Sequence, residues 1–318
     1  MNLPIASGKM GRKGRGGRAV LLEIDPTVDY AFKRLFGSAG NTSLLIDLLN
    51  AIVTGPPVRD VTLLNPFTEK EFADDKQAVF DIRASDQGGR RFAVEMQRVV
   101  PWYFPKRVLF NWGSAYTEQM LQGDYHATLM PTVVVCILTE NLIQDDGDFH
   151  HVFRMVDTKR NVPFSKDAEI LHTIELDKFH ATAEQVGTVI ERWCYFLKHA
   201  AELDPAALPR QLETPAIVRA MEVLMRIRES EQDRQAYLTR RMSEADIASR
   251  EYMSKHAREI GLAEGQDKGI AMGKIHFAQR LLKQPLTRKE ALEKLTLDDL
   301  TALADQLERQ ALPSSDTP

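Results

Sequence analysis

AVFDIRASDQGGRRFAVEMQ, residues 78–97, consists of two runs of alternating apolar and polar side chains around Ser85-Asp86-Gln87-Gly88-Gly89. A period of two, broken by a Gly-rich turn, is the pattern of a β-hairpin with one buried face. A loop with an odd number of residues around Gly88 sets Phe80 against Met96, Ile82 against Val94 and Ala84 against Phe92, giving one wholly apolar face. The same register sets Asp81 opposite Glu95, Arg83 opposite Ala93 and Val79 opposite Gln97 on the other face. An even loop sets Asp81 against Val94 and mixes the faces. Hydrophobic matching therefore selects the register that brings two acids together.

Carboxylates directly opposite, about 5 Å apart at Cβ, repel unless a cation lies between them. Two readings are open. In one, the acids lie on a solvated face and pair with Arg83, Arg91 or Arg98. In the other they share a divalent ion. Oxygen ligands of this kind suit Mg2+ or Mn2+, hard ions that keep several waters and share their remaining positions with phosphate oxygens.

The wider pattern, Asp81 followed by Glu95-Met96-Gln97, resembles the active site of PD-(D/E)XK nucleases in a D…ExQ variant, with glutamine in place of the usual lysine. More narrowly, the chain is similar to the Rpn family of recombination-promoting nucleases and putative transposases, over roughly residues 25–180 and weakly in the tail. DPTVDYAFKRLFG (25–37) matches the opening of that family. PKRVLFNWGSAYTEQMLQGDY (105–125) carries its arginine at Arg107, its Ser-x-Tyr at Ser114-Ala115-Tyr116 and its Gly-x-Tyr at Gly123-Asp124-Tyr125. HHVFRM (150–155) and HTIELDKF (172–179) match its extension.

The resemblance implies a metal-dependent DNA endonuclease acting in recombination or transposition, with DNA as partner. Asp81, Glu95 and the Met96 backbone carbonyl are the implied metal ligands, and Gln97 orients a water or holds a phosphate oxygen. The recurrent acid of the opening helix falls on Asp29, either a third acid at the metal centre or an exposed first-turn acid favoured by the helix dipole. Lys33 either pairs with Asp29 at the i,i+4 spacing or reaches a phosphate. An uncharged amide cannot supply the charge of a lysine. Arg83, on the expected face of the acids, is the replacement cation, with Lys33 and Arg107 behind it; the planar fork of Arg107 suits a phosphate. Tyr116 and Tyr125 read as a structural aromatic stripe.

With 318 residues the chain has room for a full core and two domains. Charged residues make up 27% and the net charge is only −4, so affinity for DNA must come from a local basic surface. Cys136 and Cys194 lie far apart in apolar runs, as reduced core thiols rather than a disulfide framework. No apolar run reaches the ~18–20 residues that span a bilayer. The short run Ala19-Val20-Leu21-Leu22 after a basic start predicts no export, and hence a cytoplasmic protein.

Residues 8–18, GKMGRKGRGGR, hold five basic residues and five glycines. They are read as a disordered arm within residues 1–19, either solvated or lying along a phosphate backbone. Asp25-Pro26 is the expected start of a first helix ending at Gly37. A second helix runs from Asn41 to about Val53. A strand over Val58–Leu64, the hairpin, a helix over Trp102–Gly123 and a doubly buried strand over Pro131–Leu138 complete an α/β order, αβββαβ, that of a PD-(D/E)XK nuclease-like core with a mixed sheet.

Two further strands, at 150–155 and 170–176, close a domain over 20–180. Their histidines, His150, His151 and His172, together with His180, fit no standard zinc spacing. A mostly helical region follows, over 181–260. The segment 261–318 opens with glycines at 261, 265, 269 and 273, read as a linker or a helix–helix contact, and continues with a capping box at Thr287–Glu290 and a helix from Thr296 to about Glu308. The C-terminal helices are a candidate surface for homo-oligomer assembly. The competing functional reading is a catalytically weak nuclease fold kept as a DNA-binding or regulatory module. Acid–base chemistry on a sugar needs an aromatic cleft that the sequence does not display.

Overall fold

In the computed structural model, which describes residues 21–65, 80–121, 123, 125–144, 146–165 and 169–311, the hairpin pairs in the expected register. Strand β1 (Val61–Leu63) lies antiparallel to β2 (Ile82–Asp86), and β2 to β3 (Arg91–Gln97). Ile82 faces Val94, Arg83 faces Ala93 and Ala84 faces Phe92. The turn is locked by Asp86, whose Oδ1 accepts the N–H groups of Gly88 and Arg90 at 2.9 Å each and whose Oδ2 pairs with Arg90 Nε at 2.7 Å. Gly89 sits at φ 84°, where a side chain would be strained.

The ladder stops at Ile82, one rung short of Asp81. The Asp81 carboxylate itself accepts the Met96 N–H at 2.8 Å, in the place a strand backbone would take. The chain therefore bends at residues 80–81, and Phe80 does not face Met96 as expected. It packs on the opposite face of the sheet with Ala93, Phe104, Val108 and Val134. The basic segment 8–18 and the Ala78-Val79 start of the expected strand lie outside the described residues.

Helices α1 (Asp29–Phe36) and α2 (Thr42–Ile52) precede β1, and α3 (Phe104–Thr117) joins β3 to β4 (Thr132–Leu138). β4 runs parallel to β3. It is followed by β5 (His150–Arg154), the small ribbon β6 (Val156–Asp157) and β7 (Val162–Pro163), and β8 (Glu169–Glu175). The mixed sheet has the order β1-β2-β3-β4-β8-β5, with β8 parallel to β4 and β5 antiparallel at the edge. The αβββαβ order is thus the observed one.

Every residue of β4 is buried because both its faces are covered. Val133, Val135 and Ile137 join a large core with α1, α2 and later helices, whereas Val134, Cys136 and Leu138 join a smaller one under α3. The first helix begins later than expected. Asp25 accepts the N–H and hydroxyl of Thr27 at 2.9 and 2.6 Å, and this local turn holds Asp25-Pro26 outside the helix.

Helices α4 (Val189–His199) and α5 (Pro215–Glu229) complete the large core. Trp193 is 1% exposed, packs on Phe36 at 5.2 Å between ring centroids, and donates its indole N–H to Asp47 at 2.7 Å. Thr188 and Glu191 form a reciprocal capping box at the start of α4. Replacing Thr188 with Ala is expected to cost about 1 kcal/mol in a urea unfolding titration, with an unchanged slope.

Contacts divide the chain into two units, Met1–Ala245 and Asp246–Pro318. The 51-residue helix α6 (Glu231–Leu281) contributes its first turns to the first unit. In the second unit, Ala271, Ile275 and Ala278 pack with Leu292 of α7 (Lys289–Leu292) and with Leu300, Ala304 and Leu307 of α8 (Leu297–Ala311). Gly261, Gly265, Gly269 and Gly273 lie within α6, and among the described residues no atom beyond their chain neighbours and the helix's own backbone comes within 4 Å of where a Cβ would sit on them. Thr287 caps no helix; it exchanges hydrogen bonds with Gln279 at 2.7 and 3.0 Å instead. Thr296 is the residue that caps, accepting the Asp299 N–H at 3.1 Å.

Candidate active site

Alternation along β3 puts Ala93, Glu95 and Gln97 on the α3 side of the sheet. Asp81 enters the same neighbourhood from the bend before β2. Because the N–H and C=O of one strand residue face the same neighbour, the Met96 carbonyl lies on the edge where its N–H meets Asp81. Asp29 and Lys33, one turn apart on α1, complete the group: Lys33 Nζ lies 3.1 Å from Asp29 Oδ1 and 3.7 Å from Asp81 Oδ1.

The second turn of α3 delivers Arg107. Its Nη2 donates to Glu95 Oε1 and to Gln97 Oε1 at 2.5 Å each, and its guanidinium lies over the Phe104 ring at 5.1 Å. The Gln97 amide nitrogen donates to the Val99 carbonyl, so both ends of the amide are held. Asp29 is not an exposed first-turn acid. Its side chain is 12% exposed, and Arg240 of α6 grips its Oδ2 through Nε and Nη2 at 2.7 Å each. Glu244, one turn further on, accepts the Asp29 N–H at 2.9 Å and pairs with Arg98 at 3.2 Å.

Burial raises the proton affinity of Asp81 well above the usual carboxylate range, reinforced by the charges of Asp29 and Glu95 and opposed by Lys33 and the Met96 N–H. Burial also raises Glu95, against Arg107, and Glu244, against the Asp29 N–H and Arg98. Glu95 Oε2 is buried and has no hydrogen-bond partner among the described residues. A buried carboxylate oxygen without a donor, beside a second carboxylate held against its charged form, is an environment short of positive charge.

Among the described residues no group of three or more His, Cys, Asp or Glu side chains is arranged to hold a metal. A metal held here would take one or two carboxylates, a backbone oxygen and water rather than an all-side-chain cage. A 400 Å3 cleft lined by Asp25, Arg98, Thr139, Tyr237 and Arg241 opens beside this network; Asp81 and Glu95 are not in its wall.

A family model for PD-(D/E)XK nuclease family transposases matches residues 26–251. The chain belongs to that family. The matched span contains the sheet, the acids on α1, at the bend before β2 and on β3, and also Arg240 and Glu244 of α6. Comparison with curated proteins and with solved structures returned no match. Membership supports a nuclease- or transposase-related function, with DNA as the implied substrate, and PD-(D/E)XK nucleases generally use divalent metals. No helix among the described residues is long and apolar enough to cross a membrane.

Asp29, Asp81, Glu95 and Gln97 thus come together, with Lys33 and Arg107. Arg83 does not join them. Its guanidinium pairs with Glu118 beyond the end of α3 and lines a small pocket with Leu64, Arg91 and Gln119. Tyr116 stacks on Trp112 at 5.4 Å, but Tyr125 is 81% exposed and belongs to no stripe. His150 and His172 contact each other at 3.0 Å, and His151 pairs with Asp146 at 3.0 Å, without a metal-ligand arrangement among the described residues. Sequence reading missed the α6 contribution: Arg240, Glu244 and Asp233, which accepts from Tyr30 and Arg34. Cys136 and Cys194 are free and buried.

Proposed function

We propose that the protein is an Mg2+-dependent DNA endonuclease that hydrolyses phosphodiester bonds in recombination, transposition or defence against foreign DNA. The observation that carries this reading is the meeting of Asp81 and Glu95 where the β2–β3 ladder ends, both raised in proton affinity, with Glu95 Oε2 lacking a donor among the described residues. Asp81, Glu95 and the Met96 carbonyl would hold Mg2+, or Mn2+ in its place. When bound, such an ion polarises a phosphoryl oxygen and lowers the pKa of water.

Gln97 supplies no charge; it fixes Arg107 through its carbonyl oxygen and turns its own amide into the Val99 carbonyl. Arg107 is the cation of this site, in place of Arg83, with a planar fork able to move from Glu95 to a phosphate oxygen. Lys33 balances Asp29 and Asp81 from the other side. The bidentate grip of Arg240 holds Asp29 in place, so Asp29 acts by positioning Lys33.

One observation favours a second reading. Arg107 already neutralises Glu95, as suits a nuclease fold kept for DNA binding or regulation and assembled through its C-terminal helices. Incubation of plasmid DNA with purified protein and Mg2+ separates the two. On the first reading the wild type nicks or linearises plasmid, Arg107→Gln cuts ~10^2–10^3-fold more slowly, as for loss of one donor to developing charge, and Arg83→Gln stays within about twofold. Retention of DNA without cutting under any divalent ion selects the second reading.

A further inference from the structure

We infer that the chain leaving β3 forms a stacking platform for unpaired bases, which makes single-stranded or strand-opened DNA the preferred substrate; this rests on the nuclease reading for its use, but not for its binding. Trp102 is 66% exposed, just before α3, with Tyr103 edge-on to it at 5.8 Å and Lys106 Nζ over its ring at 5.6 Å. One turn beyond Lys106, Phe110 is 74% exposed, and Leu109 beside it is 53% exposed. These large apolar groups lie in water on the outer side of the helix whose inner side, through Phe104, Val108 and Ala115, covers the sheet.

Residues 98–117 contain Arg98, Lys106 and Arg107 and no aspartate or glutamate. Acids meet this segment from other elements: Arg98 pairs with Asp25 and Glu244, Arg107 with Glu95, and the Glu140 carboxylate accepts the Val100 N–H, which leaves Lys106 as the cation beside the rings. An exposed indole with a lysine over its ring, and a second exposed ring on the same side of the helix, is the chemistry of a single-stranded nucleic-acid surface, where bases stack on the rings and the cation meets the backbone. The occupant is an unpaired base because a duplex keeps its base faces stacked and offers only groove edges and phosphates. The indole and the phenyl ring present π-faces, on which an unpaired base can stack and a paired one cannot.

The platform is within chain reach of the acids. Trp102 is five residues past Gln97 and five before Arg107. Its Cα therefore lies within about 18 Å of both, by chain length alone. A strand stacked on Trp102 has its backbone beside Lys106, and the next cation along α3 is the one that holds Glu95 and Gln97.

The test uses the full chain in EDTA, so that no cutting occurs, with fluorescein-labelled oligo-dT and a duplex of equal length. Oligo-dT is expected to bind at least tenfold more tightly than the duplex and to quench tryptophan fluorescence. Trp102→Ala is expected to weaken oligo-dT binding ~5–100-fold, the range of one lost base stack, to remove most of the quenching and to leave duplex binding within about twofold. Trp102→Phe keeps most of the affinity. Equal binding of the two DNAs, unaltered by Trp102→Ala, overturns the inference, as does a Trp102→Ala change that dissolves a self-associated form in sedimentation while leaving oligo-dT affinity intact. Because binding is read without metal, an inactive protein that passes this test sinks the nuclease reading alone. A protein that cuts plasmid but fails it sinks the platform alone.

Discussion

Replacing Asp81 with asparagine is expected to abolish plasmid cleavage and, in the absence of metal, to raise the melting temperature. The amide keeps an oxygen for the Met96 N–H, which Asp81 accepts at 2.8 Å, so the bend before β2 survives. What is lost is one of two carboxylates proposed to hold the ion. A ligand to a catalytic metal supplies several kcal/mol of transition-state stabilisation, so a fall of ~10^3-fold or more is expected.

The stability gain follows from the raised proton affinity of Asp81, whose first cause is burial and second the charge of Asp29. A carboxyl that is harder to ionise in the folded chain than in the unfolded one stabilises the fold only while it is protonated. That contribution is full at acid pH and lost as pH rises from the ordinary carboxylate range through the raised folded value. The metal-free wild type should therefore lose stability over that interval, and Asp81→Asn should lose less, so the gap between their melting temperatures widens with pH and then levels. About 1 kcal/mol corresponds to ~2–4 °C for a unit of this size. Thermal melts in EDTA across pH provide the check. A variant that melts several degrees below the wild type at neutral pH, or that cuts plasmid like the wild type, contradicts the account.

Glu175→Ala is expected to have the largest effect on stability. Glu175 ends β8 with no exposed side-chain surface. Its carboxylate accepts the Leu142 N–H at 3.0 Å and the Ile143 N–H at 3.3 Å, pairs with Lys178 at 3.1 Å and lies 3.4 Å from His151 Nδ1. It ties the loop after β4 to the end of the parallel strand beside it. Truncation leaves half-buried N–H groups without their acceptor and a half-compensated lysine, since Asp146 remains 2.8 Å from Lys178 Nζ. Breaking a buried pair in this way costs ~3–5 kcal/mol, or roughly 6–20 °C in melting temperature. Glu175→Gln keeps an acceptor oxygen and should fall between the two. Differential scanning calorimetry decides; a loss below about 1 kcal/mol would mean that the carboxylate is not the tie it resembles.

The parts of this molecule legible in sequence are those set by period and local chemistry. The β2–β3 register follows from alternation on either side of Gly88, because a one-residue slip would turn Phe92 and Val94 to the polar face. β4 reads as doubly buried because its apolar run shows no alternation with polar positions. The places where reading fails are set by competition among side chains. Phe80 leaves its expected position because a carboxylate, not a backbone carbonyl, takes the Met96 N–H. Thr188–Glu191 and Thr287–Glu290 share one capping pattern, yet only the first caps, since Gln279 claims Thr287.

The candidate site divides in the same way. Asp81, Glu95 and Gln97 are near one another in sequence and on one hairpin. Arg83 shares their sheet face, but a long side chain can turn toward any acid in reach, and Glu118 holds it. Arg107 shares no periodic relation with β3, and its place emerges only when α3 packs. Arg240 lies 211 residues from Asp29, and a pairing at that separation leaves no trace in hydrophobic spacing. The one local clue on α6 was four-residue spacing between Arg240 and Glu244, which is equally the mark of an exposed helix face.

The central claim is that Asp81 and Glu95 tolerate each other in order to share a divalent ion. Titration of Mn2+ into the protein, with free ion followed by electron paramagnetic resonance, tests it without reference to any substrate. The account predicts a saturable Mn2+ site in the wild type that is lost in both Asp81→Asn and Glu95→Gln and retained in Arg83→Gln. Undiminished Mn2+ binding by the two acid variants would contradict it.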